Sequence, residues 1–118
     1  MTDFFRENLL TPPDSPAVNE LTQTIYDRKH TRIERIVSTG QCSPPEFWYD
    51  QEEDEWVTVL SGHAKLRFKD DSGESVIHLQ AGDHLLIEAH RQHRVDWTDP
   101  QSTTIWIAVF YDNRPDNA

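Results

Sequence analysis

Ala64-Lys65-Leu66-Arg67-Phe68-Lys69 alternates apolar and cationic side chains without a break, and Asp70-Asp71-Ser72-Gly73 follows it directly. Successive side chains of an extended strand point to opposite faces, so Ala64, Leu66 and Phe68 are predicted to face a core and the three cations to face water. The Asp-Asp-Ser-Gly run has the composition of a tight turn, which begins a hairpin into Val76-Ile77-His78-Leu79. Gly82-Asp83 makes a second turn into His84-Leu85-Leu86-Ile87. Thr103 to Tyr111 is apolar on both parities, the pattern of a strand at the centre of a sheet. Two weaker strands are predicted upstream, around Thr22 to Tyr26 and Arg32 to Ser38. Short segments between turn signals, with no helical period, indicate an all-β sandwich or barrel. Val57, Val59, Ile105 and Ile107 complete the predicted core.

A chain of 118 residues has the size of one domain. Residues 1–20 read as an extended N-terminal arm, because Thr11-Pro12-Pro13-Asp14-Ser15-Pro16 forbids regular structure. Phe4, Phe5, Leu9 and Leu10 are its apolar residues, and the arm is expected to dock by its aromatics. Residues 21–111 form the barrel domain and residues 112–118 a solvated tail. A formal charge of −10, from 21 acidic against 11 basic residues, repels phosphates and so argues against nucleic acid and anionic membrane surfaces as partners. Neither a spanning apolar run nor a signal peptide is visible, which makes the cytoplasm the expected location. Cys42 has no cationic neighbour in sequence and reads as a buried or idle thiol rather than a nucleophile. Strand edges need cover in so small a barrel, so a homodimer is expected, with the arm reaching a neighbouring sheet.

Chemistry concentrates in Phe47 to Gly62, where a carboxylate run enters a β-branched strand. In an extended chain Glu55 shares a face with Val57 and Val59, and Gln51 and Tyr49 lie further along that face. A carboxylate that opens an inward row must be paired, hydrogen-bonded or metal-bound. Pairing with Arg91 or Arg94 at the barrel rim is the structural alternative. Downstream, His93, Val95 and Trp97 share a parity, which predicts an inward imidazole with Trp97 as a pocket wall. The remaining tryptophans, Trp48, Trp56 and Trp106, read as core packing. No nucleophile elbow, phosphate loop or dinucleotide fingerprint is present.

These two segments resemble the paired motifs of the cupin superfamily over about residues 40–111, which implies a jelly-roll, double-stranded β-helix barrel. In the first motif a His-x-His pair precedes a Glu, and a Gly follows after six residues; Glu55 and Gly62 keep that spacing, while Tyr49 and Gln51 stand at the histidine positions. In the second, a Gly precedes a Pro-x-Gly-x-x-His element by five residues; Gly82 and Glu88-Ala89-His90-Arg91-Gln92-His93 correspond, with the terminal His kept. The resemblance implies a metal site, of which Glu55 and His93 carry over by identity. Gln51 and His90 are candidate replacement ligands, and the set Gln51, Glu55, His90 and His93 would suit a divalent transition metal such as Zn, Ni, Fe or Mn. Two functions remain: a binding or sensing module that holds a small molecule around Glu55 and His93, with Tyr49 and Trp97 as contacts, or a metal-dependent enzyme of oxygenase, isomerase or lyase type.

Overall fold

The computed structural model describes residues 6–13 and 19–113. The chain runs β1 (Leu21–Asp27), β2 (Thr31–Ser38), β3 (Asp54–Ser61), β4 (His63–Asp70), β5 (Gly73–Gln80), β6 (His84–Ile87), β7 (Gln92–Thr98) and β8 (Thr104–Tyr111). These strands build a five-stranded sheet, β1-β2-β8-β3-β6, and a three-stranded sheet, β5-β4-β7. Every pairing is antiparallel. A jelly-roll arrangement is consistent with this two-sheet topology, and β8 occupies the centre of the larger sheet, as its two-sided apolarity requires. Among the described residues no helix is long and apolar enough to cross a membrane.

The alternation in β4 decides the sandwich. Ala64, Leu66 and Phe68 are buried against Val57 and Val59 of β3, Leu79 of β5, Ile87 of β6 and Trp106 of β8. The predicted inward placement of Ile105 and Ile107 is corrected. Val59 opposes Trp106 and Val57 opposes Ala108, so the even-numbered residues of β8 face inward and Ile105 and Ile107 face outward. They are buried nonetheless, on the outer face of the larger sheet, where they pair with Val37 and Arg35 of β2. Residues 9–11 lie over that face: Arg35 Nε donates to the Leu9 carbonyl at 2.9 Å, Arg35 Nη2 donates to the Thr11 carbonyl, and Nη1 donates to Gln23 Oε1 at 2.6 Å.

The described part of the N-terminal segment is therefore held by its backbone. Leu9 and Leu10 are 40% and 54% exposed, so they do not anchor it as apolar plugs. Phe4 and Phe5, expected to dock the arm, lie outside the described residues, as do residues 114–118 of the expected tail.

Two irregularities place side chains that the alternation misassigns. Gly62 turns β3 into β4 with φ +85°, and a Cβ there would meet Thr104 Oγ1 at 2.3 Å and Thr104 Cα at 2.6 Å. Only glycine fits both that backbone and that approach. In β7 the register against β4 slips: Leu66 opposes Val95 but Lys65 opposes Trp97. A slip of one residue within a strand transfers everything beyond it to the other face.

Candidate functional site

Between the sheets lies a cavity of about 250 Å³, walled by residues of seven strands, by Glu20 just before β1 and by Tyr49 and Gln51 in the segment preceding β3. Glu55 enters it from the first turn of the inward row of β3, above Val57, and pairs across to Ile87 and Phe110. His93 enters from β7, opposite Phe68 of β4. Tyr49 and His93 exchange backbone hydrogen bonds at 2.7 and 3.2 Å, so the residues before β3 run as a short extra strand beside β7. The His93 imidazole is stacked between Tyr49, at 5.3 Å, and Phe68, at 6.0 Å between ring centroids. This cross-strand stack fixes the imidazole in place.

Gln51 Nε2 donates to Glu55 Oε1 at 3.0 Å, and His93 Nε2 lies 3.5 Å from the same oxygen. The predicted convergence of Gln51, Glu55 and His93 is what the strands produce. The rim alternative for Glu55 is not realised: Arg94 donates to the carbonyls of Ser43 and Pro44, and the Arg91 guanidinium lies over Phe68. His93 Nδ1 is 2.8 Å from the Arg91 carbonyl, which can only accept, so Nδ1 carries a proton. Nε2 therefore turns toward a carboxylate oxygen that is itself an acceptor. With one proton on the ring, a hydrogen-bond donor or a cation between the two atoms would complete this pair.

Two sequence candidates are placed elsewhere. His90 adopts φ +64° in the turn between β6 and β7, its N–H donates to the Gln51 carbonyl, and Nδ1 lies 2.8 Å from Asp50 Oδ1. Its side chain is 66% exposed and is not part of the cavity wall. The left-handed turn aims it outward. Trp97 follows the register slip in β7 onto the outer face of the smaller sheet, where Lys65 Nζ sits 5.2 Å from its ring centroid. Val95 takes the inward place that the unbroken alternation gave to both residues.

The opposite wall comes from residues to which the sequence reading gave no site role. Arg32, Glu34 and Ile36 of β2 line the cavity with Glu20 and Thr22, and Trp106 and Phe110 of β8 close it. Arg32 donates bidentately to Glu53 at 3.0 and 3.2 Å and to Glu34 at 3.0 Å, with its guanidinium 4.2 Å from the Phe110 ring centroid. Trp106 Nε1 donates to Ser38 Oγ, which donates to Glu20 Oε2 at 2.7 Å. The period-two series Arg32, Glu34, Ile36, Ser38 was the available signal. It reads as solvent-facing because the opposite face of β2 also carries Ile33 and Val37. Burial raises the pKa of the Tyr49 phenol, and the charges of Glu20, Glu55 and Glu34 raise it further.

The geometry also tests the metal implied by the resemblance. Among the described residues no group of three or more His, Cys, Asp or Glu side chains is gathered to hold an ion. Glu55 and His93 are two donors, and the third neighbour, Gln51, presents its amide nitrogen to the carboxylate. Two strong donors fall short of the three or four that a divalent transition metal ordinarily takes from protein.

A family model described as a cupin domain matches residues 34–110. The chain belongs to the cupin domain family. This cupin is similar to a candidate mannose-6-phosphate isomerase of Ralstonia eutropha JMP134, at 44% identity, a TM-score of 0.82, and coverage of 91% of this chain and 97% of that one. It is also similar in fold to a cupin superfamily protein of Desulfitobacterium hafniense DCB-2, at 16% identity and a TM-score of 0.69, over 86% of this chain and 84% of that one. An RmlC-like cupin with a double-stranded β-helix fold from Methanocaldococcus jannaschii is similar at 13% identity and a TM-score of 0.64, over 81% of this chain and 83% of that one. No curated protein matches the chain.

Proposed function

We propose that this cupin binds a small organic molecule in its barrel, against the Glu55/His93 pair. The convergence of Gln51, Glu55 and His93 at one wall of the cavity between the sheets carries this reading. Apolar walls of Val57, Leu66, Ile87 and Trp106 supply contact area, and a few convergent polar groups supply orientation, the usual division of labour in a ligand pocket. The volume, about 250 Å³, corresponds to roughly eight water molecules, so the ligand is a small metabolite.

The metal-dependent enzyme is the other reading, favoured by the 44% identity to a protein named as a candidate mannose-6-phosphate isomerase. A phosphosugar meets an obstacle in this chain. Glu20, Glu34 and Glu55 line the cavity, and the one guanidinium among its described lining residues, Arg32, is already paired with Glu53 and Glu34. A phosphate dianion would face more carboxylates than free cations.

Elemental analysis of untagged protein, with calorimetry of Gln51→His, tests the binding-module reading. The expected results are substoichiometric metal in the parent and tighter Zn²⁺ or Ni²⁺ binding in Gln51→His, where three donors would face one point. Stoichiometric metal in the parent, with turnover of mannose 6-phosphate lost in His93→Ala, would establish the enzyme instead.

A further inference from the structure

We infer that the cavity takes a small organic cation, an amine or quaternary ammonium compound. The inference rests on reading the cavity as a ligand pocket and adds the chemical class of what enters it. Three carboxylates, Glu20, Glu34 and Glu55, line one cavity. Arg32 does not balance them, because Glu53 and Glu34 hold its guanidinium from two directions and Phe110 covers its face. Among the described lining residues a ligand anion therefore finds no uncommitted guanidinium or ammonium, and a ligand cation finds a surplus of negative charge.

The second observation is the acceptor pair at the heart of the site. The Arg91 carbonyl accepts a hydrogen bond from His93 Nδ1–H, and with that single proton on the ring Nε2 is an acceptor 3.5 Å from Glu55 Oε1. Two acceptors held in a stacked, hydrogen-bonded frame attract a donor that carries positive charge. An ammonium group is such a donor, with N–H bonds to give to both atoms. A quaternary ammonium lacks those bonds and would use the charge alone, with its methyl groups against the aromatic and aliphatic walls. The remaining wall, Val57, Leu66, Ile87 and Trp106, suits a short hydrocarbon substituent.

Calorimetry on the full chain at low salt tests the class with matched probes: n-butylamine, choline, the neutral choline isostere 3,3-dimethylbutan-1-ol, D-mannose and mannose 6-phosphate. The two cations are expected to bind at least tenfold more tightly than the neutral isostere, and mannose 6-phosphate is expected not to bind. Glu55→Gln should weaken the cations at least tenfold and leave the isostere unchanged, with Glu34→Gln as a second variant should Glu55→Gln melt early. Binding of D-mannose or the isostere as tightly as choline, or indifference of the cations to both variants, would overturn the cation class and leave the pocket reading in place. No binding by any probe would overturn both. Zn²⁺ binding that His93→Ala removes, without ammonium binding, would assign the positive charge to a metal ion and overturn the inference.

Discussion

Phe68→Ala reaches both the core and the site. Phe68 is 4% exposed in β4, where it packs in the central cluster with Leu66, Val57 and Ile87 and stacks on the His93 imidazole at 6.0 Å. Truncating a buried phenylalanine removes its transfer free energy and leaves a void, a loss of about 3 to 5 kcal/mol. For a urea slope of about 2 kcal/mol per molar, that moves the unfolding midpoint down by roughly 2 M. A domain of this size has about 6 to 18 kcal/mol of stability, so the variant should remain folded in buffer. Phe68→Leu, which keeps most of the volume, should cost under about 1.5 kcal/mol. Urea titrations followed by tryptophan fluorescence give all three numbers. A loss below about 1 kcal/mol in Phe68→Ala would refute the assignment of Phe68 to the core face, and with it the alternation from which the fold is argued.

Gly62→Ala should cost more than Gly73→Ala in thermal melts. Both positions have positive φ, worth about 1 to 2 kcal/mol, but only at Gly62 would the new Cβ collide with Thr104, whereas nothing lies within 4 Å at Gly73. Equal losses would show that the β3–β4 turn does not press on β8 in this way. The phenolate absorbance followed against pH, compared with that of Tyr49→Phe, should assign Tyr49 a titration above the ordinary tyrosine value. Because burial and neighbouring carboxylates raise the folded pKa of Tyr49, its contribution to stability is complete below the ordinary tyrosine value and is lost as pH rises through the folded value. A titration lost in Tyr49→Phe that lies at or below the ordinary tyrosine value would contradict the placement of Tyr49. Arg35→Met should release residues 9–11 and speed proteolysis there, with a stability loss of about 2 to 3 kcal/mol from the charged hydrogen bonds removed. An unchanged cleavage pattern would mean that Arg35 does not tether the segment.

The sequence alone determined the periodicity and its punctuation. Ala64 to Lys69 and His84 to Ile87 lie within strands of the expected pattern, and the residues from Thr104 to Tyr111 form the expected central strand. Glu55, Gln51 and His93 were legible because strand parity is local: two rows of fixed period, each ended by a polar side chain, carry those groups to one mouth. What local periodicity does not encode is where a strand slips or turns, and which face a second layer covers. The slip in β7 sent Trp97 outward, and the left-handed turn at His90 did the same for its imidazole. Arg35 holds the backbone of residues 9–11 on the outer side of the larger sheet, the side on which Ile105 and Ile107 are buried away from the core. The charged wall of Arg32 and Glu34 likewise exists only because β2 pairs with β8 and turns its polar parity into the barrel. Pairing across long sequence separations decides those placements, because the free energy that fixes them comes from the opposing sheet and not from neighbours in the chain.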